Sequence, residues 1–333
     1  MPIQDDFRNL VRRIRGARKL VDMSESRDVV TTIIKDPTLF SDIQYLANGS
    51  YGTVYTARYL NQFLVVVKVL NGKEWLSEKD EKEFFFNEVS SMMSIQGHEN
   101  ILPILGALPF DEQFPPEWKV SADGNPCQPH AIVMPMMPNG TLEDLLERNK
   151  KEGKKIPLQR QFEIALNICE GMTWVSSRNV LHRDLKPENV FFDKHWISKI
   201  GDVGMARLSS GDQPNIEEEN LHWWTAPEVI LRSKNLSSKI DVYSCGILLW
   251  QLFTDTCTND LLEKVFPSEF TMNYHENIVA GKRPPIDPDH PYITDSPSLR
   301  DYPQISTIIE KAWSNDPEQR PTFEQLVQQL KET

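Results

Sequence analysis

The run His182-Arg183-Asp184-Leu185-Lys186-Pro187-Glu188-Asn189 constrains this chain more than any other stretch. A short strand pattern, Val190 to Phe192, follows it, and then Lys199-Ile200-Gly201-Asp202-Val203-Gly204. Two carboxylates and one amide therefore fall near the two ends of a tight hairpin. Hard oxygen donors in that arrangement suit magnesium shared with a nucleotide's phosphates, with one carboxylate left to face an incoming hydroxyl. An isolated Asp-x-x-x-x-Asn carries no such information; the full eight-residue run does.

The remaining chain must supply a scaffold for that hairpin. Its 333 residues suffice for one large core or two lobes. A formal net charge of −12 argues against general nucleic-acid binding. No apolar run approaches the roughly 18 residues of a membrane span, and the start, Met1-Pro2-Ile3-Gln4-Asp5-Asp6, lacks the apolar region of a signal peptide. Cys127, Cys169, Cys245 and Cys257 are widely spaced, which fits reduced thiols and a cytoplasmic setting. Residues 1–42 form an extension in which Phe7, Leu10, Val11, Ile14, Ala17 and Val21 recur at helical spacing beside a basic face of Arg8, Arg12, Arg13, Arg15, Arg18 and Lys19. Two readings stand open for it: weak contact with an anionic membrane or acidic partner, or packing of the apolar stripe on the adjacent lobe.

Upstream of the opening run lie three further signals in order. Leu46-Ala47-Asn48-Gly49-Ser50-Tyr51-Gly52-Thr53-Val54-Tyr55 reads as strand, glycine turn, strand, and glycines let backbone amides approach phosphate oxygens closely. Alone it reads as an ordinary hairpin. Its weight comes from the next strand, Phe63 to Leu70, where Lys68 interrupts an apolar, β-branched run. A lysine inside a buried strand is costly unless a carboxylate or phosphate pairs with it. The helical pattern from Glu81 to Ile95 offers Glu88, with Glu83 as competitor; Glu88 is preferred because Met92 falls one turn along the same face. His98 to Leu102 reads as the end of that helix and entry into a strand. Residues 109–129 are turn-rich and carry no motif, and Ala131 to Met134 reads as another strand.

Taken together, these motifs resemble the eukaryotic-type protein kinases, whose catalytic loop reads H-R-D-L-x-x-x-N. The resemblance covers about residues 43–330 and is similar in detail to the tyrosine-kinase-like group of Ser/Thr kinases. It implies an α+β, bilobal fold with a small antiparallel β-sheet N-lobe carrying one main helix (about 43–134), a hinge (about 135–140) and a larger, mainly helical C-lobe (about 141–331). It implies Ala47, Gly49, Gly52, Val54, Val66, Lys68, Met134, Pro135, Met137 and Phe191 as ATP contacts. Lys68 would pair with Glu88 and reach the α/β-phosphates, Asn189 and Asp202 would hold Mg2+, Asp184 would be the base, and Lys186 would lie near the γ-phosphate. Protein substrates bearing Ser/Thr hydroxyls are the partners it implies; the charge argues against nucleic acid, and the sequence does not set the oligomeric state. Ala226-Pro227-Glu228, Arg320 and Asp241 match the family's structural anchors, while Met92, Ile104, His182 and Val203 match its regulatory spine.

Three departures qualify the resemblance. Val203 replaces the phenylalanine of D-F-G and removes aromatic volume from the spine; Val66 replaces the small residue above the adenine. Leu221 stands where Ser/Thr kinases place a hydroxyl that bridges the catalytic aspartate and lysine, while Trp224-Thr225-Ala226-Pro227-Glu228 resembles a tyrosine-kinase ending, so the loop implies Ser/Thr and the segment is mixed. A pseudokinase acting as a nucleotide-binding or protein-binding scaffold is the alternative reading of the chain. Ser209 and Ser210 are candidate phosphosites facing Arg183, and Glu217-Glu218-Glu219 offers that arginine a built-in negative charge.

Overall fold

The computed structural model describes residues 36–49, 52–70, 85, 89–108, 113–119, 130–202, 207–208, 222–265, 274–287 and 289–333. The N-terminal basic segment, Glu88, Val203, Ser209, Ser210, Glu217 to Glu219 and Leu221 lie outside them. The chain divides into two compact units. One comprises residues 1–96 with 103–136, the other residues 97–102 with 137–333.

The smaller unit is built on a five-stranded antiparallel sheet in the order β1 (Phe40–Gly49), β2 (Gly52–Tyr59), β3 (Phe63–Leu70), β5 (His130–Pro135), β4 (Gly106–Leu108). β-branched and aromatic residues alternating along β2 and β3 favour strands, and the two-residue side-chain period divides them between two faces. Register makes the division concrete. Val54 pairs with Lys68, and Lys68 with Ile132; Thr56 pairs with Val66, and Val66 with Met134. These six share one face. Tyr55, Val67 and Val133 are likewise aligned and share the other, together with Ala57, Val65 and Val69.

That second face carries the unit's core. Phe40, Tyr59, Leu108, Phe114 and Trp118 pack with the strand residues. The motif-free stretch between β4 and β5 thus has a structural task. Its described part, a 3-10 turn at Pro116–Lys119, drives the fully buried Trp118 into the sheet. The indole meets Phe114 edge-on at 5.4 Å and Phe40 at 5.6 Å between centroids. The Tyr55 hydroxyl donates to the Glu117 carbonyl at 2.8 Å, pinning the turn to β2.

The larger unit is mainly helical. The Leu142–Glu152 helix opens with a capping box between Thr141 and Asp144 and ends at Gly153. The Leu158–Ser177 helix buries Ile164, Ala165, Ile168, Met172 and Val175 at helical spacing. The Lys239–Thr254 helix is buried from Ile240 through Thr254, as a helix apolar on nearly every side must be. Helices Pro303–Ala312 and Phe323–Glu332 follow. The short strand β6 (Val180–Leu181) precedes a small hairpin that joins β7 (Val190–Phe192) to β8 (Ser198–Ile200). His98 to Leu102 leaves the helix and meets β8, to which Ile101 forms a parallel bridge at Ile200, rather than joining the five-stranded sheet. Leu102 N–H donates to Ile200 O at 2.8 Å, Ile200 N–H to Asn100 O at 2.8 Å, and Asn100 Nδ2 to Ser198 O at 3.0 Å. Backbone partners on β8, which local periodicity cannot reveal, decide the matter. No helix among the described residues is long and apolar enough to cross a membrane.

Truncating Trp118 removes the centre of the smaller unit's aromatic cluster. Trp118→Ala is expected to destabilise that unit by about 3–5 kcal/mol, read as a lower denaturation midpoint. A midpoint unchanged from wild type would show that the turn is dispensable.

Candidate active site

The catalytic-loop sequence is held from beneath by one carboxylate. Asp241, in the first turn of the buried helix and 0% exposed, accepts the His182 N–H on Oδ2 at 2.9 Å and the Arg183 N–H on Oδ1 at 2.8 Å. Burial pushes its pKa up, while His182, the two amide bonds and Arg183 oppose the rise. Arg183 sits at φ 68, a left-handed conformation that costs a non-glycine residue energy. The Asp241 bond to its amide offsets that cost.

His182 passes the constraint onward. Its Nδ1 accepts the Asp184 N–H at 3.3 Å, which leaves Nε2–H to donate to Gly201 O at 3.1 Å. Gly201 N–H in turn donates to Asn189 O at 2.9 Å. The loop and the residue before Asp202 are therefore tied twice. A side chain at Gly201 would crowd its neighbours: a Cβ would lie 2.7 Å from the Leu102 side chain and 2.8 Å from the Phe191 ring, so one of them would have to shift. Asp202 follows at φ 53, half-buried.

At the centre lies the Asp184 carboxylate, 4% exposed. Asn189 Nδ2 donates to Oδ2 at 2.9 Å and to the Asp184 carbonyl at 2.7 Å. Lys186 Nζ lies 3.0 Å from Oδ1, and His222 Nε2 lies 2.8 Å from the same oxygen. Burial pushes the Asp184 pKa up, but the His222 hydrogen bond and the Lys186 charge together outweigh it and hold the carboxyl down at about 2. His222 was not foreseen from the sequence. The available signal was a donor side chain immediately after Leu221, the residue that cannot donate.

The segment bearing His222 is anchored by the same helix and by the chain's end. Ser244 Oγ donates to Trp224 O at 2.7 Å, and Trp224 Nε1 to Gln251 Oε1 at 2.9 Å. Arg320, fully buried, grips both Glu228 oxygens at 2.6 and 2.9 Å. Such a bidentate pair sets orientation as well as attraction.

In the smaller unit, Lys68 is 7% exposed on β3 and shares a sheet face with Val54, Val66 and Met134. Ala47 pairs with Val54, and Gly49 with Gly52, at the β1–β2 turn. Gly52 has φ 152, and a Cβ there would lie 2.1 Å from Val69 O, so only glycine fits. Pro135 ends β5, and the Met137 carbonyl accepts the Gly140 N–H at 3.2 Å. Phe191 lies in β7 opposite Lys199. Glu88, and with it any pairing to Lys68, lies outside the described residues.

Asn189 and Asp202 fit magnesium by donor chemistry. The Asn189 amide nitrogen is spent on Asp184, which leaves its oxygen for a hard cation, and Asp202 supplies a carboxylate. Among the described residues no cluster of three or more His, Cys, Asp or Glu suits a metal, but magnesium at such sites takes only one or two protein ligands besides phosphates and waters.

A catalytic loop anchored by a buried aspartate, beside an Ala-Pro-Glu segment locked by an arginine, defines a protein-kinase domain. Residues 41–330 match the family model for protein tyrosine and serine/threonine kinases, and the chain belongs to that family. It is 32% identical to serine/threonine-protein kinase STY46 of Arabidopsis thaliana, over 86% of this chain and 43% of that protein. It is 30% identical to mouse (Mus musculus) protein-tyrosine kinase 6, over 87% of this chain and 56% of that protein. Dual specificity protein kinase shkB of Dictyostelium discoideum is 26% identical over 85% and 38%. The chain thus spans less than three fifths of these relatives' lengths.

The Asp184 environment has a consequence for stability. A carboxyl held below its ordinary value stabilises the fold above about pH 4, and that contribution is lost as pH falls toward 2. Across that window wild type is expected to lose on the order of 2 kcal/mol more than Asp184→Asn. Parallel pH–stability curves from chemical denaturation would contradict the assignment.

Proposed function

We propose that this chain transfers the γ-phosphate of ATP to Ser/Thr hydroxyls of protein substrates, in a cytoplasmic setting. The observation that carries the reading is the Asp184 carboxylate, buried, ionised, and held at both oxygens by Lys186, His222 and Asn189. A carboxyl with a pKa of about 2 does not strip a serine hydroxyl in the ground state. It orients the hydroxyl and takes its proton as the new bond to phosphorus forms, which the loose transition state of phosphoryl transfer permits. Lys186, on Asp184 Oδ1, supplies positive charge beside the transferring group.

Asn189 and Asp202 are the residues we assign to magnesium. When bound, the ion neutralises charge on the phosphates. Lys68 is assigned to the α/β-phosphates, with Glu88 as the partner the resemblance implies for it. Ala47, Gly49, Gly52, Val54, Val66, Met134, Pro135, Met137 and Phe191 are assigned to the remainder of the nucleotide. The shared sheet face of Val54, Val66, Lys68 and Met134 supports this part of the reading. The names of relatives include Ser/Thr, Tyr and dual-specificity kinases; Lys186 favours Ser/Thr here. The free thiols of Cys169, Cys245 and Cys257 support a reducing compartment.

Purified protein incubated with labelled ATP and magnesium tests the proposal. Asp184→Asn is expected to lower phosphate transfer by about 10²- to 10⁴-fold, with phosphorylation mapping to Ser and Thr. Equal, negligible transfer by wild type and variant would overturn it in favour of a binding role.

A further inference from the structure

Ser/Thr kinases that this chain resembles bridge the base and its lysine with a hydroxyl at the position of Leu221. Leucine has no donor. The next residue supplies one: His222 Nε2 lies 2.8 Å from Asp184 Oδ1, the oxygen that also takes Lys186 Nζ at 3.0 Å.

The ring is held on its other side as well. Thr225 Oγ1 accepts the His222 backbone N–H at 2.9 Å, and lies 3.3 Å from His222 Nδ1. The hydroxyl keeps its own proton to give to Nδ1, the arrangement in which Nε2–H points at Asp184. Thr225 N–H closes the turn on His222 O at 2.8 Å. The Trp224 indole stands edge-on to the imidazole, with centroids 5.4 Å apart, and is itself bonded to Gln251. A histidine fixed at both ring nitrogens and at its backbone is a constructed contact.

Each carboxylate oxygen offers two in-plane acceptor positions. Lys186 and His222 fill those of Oδ1. Asn189 fills one on Oδ2, so the second acceptor position of Oδ2 is the one left for a substrate hydroxyl. Resting on the kinase reading above, we propose that His222 is a positioning residue for phosphate transfer, holding Asp184 from Oδ1 in place of the hydroxyl bridge and thereby directing Oδ2 to the substrate. It acts through Asp184 and touches neither nucleotide nor hydroxyl. Its orientation depends on Thr225.

Steady-state kinetics with casein and Mg·ATP test this with wild type, His222→Leu, His222→Gln, Thr225→Val and Asp184→Asn. His222→Leu is expected to lower kcat about 10- to 100-fold, with the KM for ATP within about twofold of wild type. Glutamine presents an amide N–H at similar reach, so His222→Gln should recover most of the rate; Thr225→Val should fall between. A purely structural role predicts that leucine and glutamine variants fail alike, and that result overturns the proposal. So does a wild-type or raised kcat in His222→Leu, the latter meaning that the histidine blocks the base. If wild type transfers no more phosphate than Asp184→Asn, the kinase reading itself fails. The contact is then judged by nitrogen NMR of histidine-labelled protein: Asp184→Asn must shift the His222 Nε2 signal, and an unmoved signal removes it.

Discussion

The bond between the Asp241 carboxylate and two consecutive backbone amides is the constraint on which the site depends. It takes a charge into the interior of a buried helix, which is tolerable only because His182 and Arg183 N–H groups meet both oxygens. In return the chain turns through a left-handed arginine and presents Asp184 on the far side of the loop. The same helix holds the opposing wall. Asp241, Ser244 and Gln251 are spaced by three and seven residues, hence on one face. The first grips the catalytic loop; the others grip Trp224, two residues from His222. One rigid element thus sets the separation between the Asp184 carboxylate and the His222 imidazole.

Asp184 is where these supports converge. It is met by a main-chain-tethered amide, an ammonium, an imidazole and the His182 ring through its own N–H. The outcome is a carboxylate strongly biased toward ionisation and fixed in rotamer, better suited to orienting a hydroxyl than to deprotonating it early. Arg320 completes the frame. By locking Glu228 it fixes the end of the segment that begins at His222, so Arg320, far away in sequence, governs geometry at Asp184.

Much of this was legible in the sequence, for particular reasons. The eight-residue loop, Asp241, Arg320 and Glu228 are legible because each has a fixed partner whose chemistry leaves little choice of residue. The sheet was legible because β2 and β3 are runs of β-branched and apolar residues bounded by turns, and their register brings Val54, Val66, Lys68 and Met134 to one face. Trp118 was not, since its burial depends on strands far away in sequence and its own neighbourhood is all turn. His98 to Leu102 was legible as strand-like, but not which strand it meets: its partner β8 lies far away in sequence. His222 was hidden because a missing donor at Leu221 says nothing about which neighbour replaces it. The loop conformation around Thr225 decides that.

If His222 acts only through the carboxylate of Asp184, the two residues form one unit, and their effects on phosphate transfer cannot be independent. A double-mutant cycle on kcat with Asp184→Asn and His222→Leu measures this directly. The account predicts that His222→Leu, costly in the wild-type background, has no further effect once Asp184 is asparagine. Multiplication of the two losses in the double variant would contradict it.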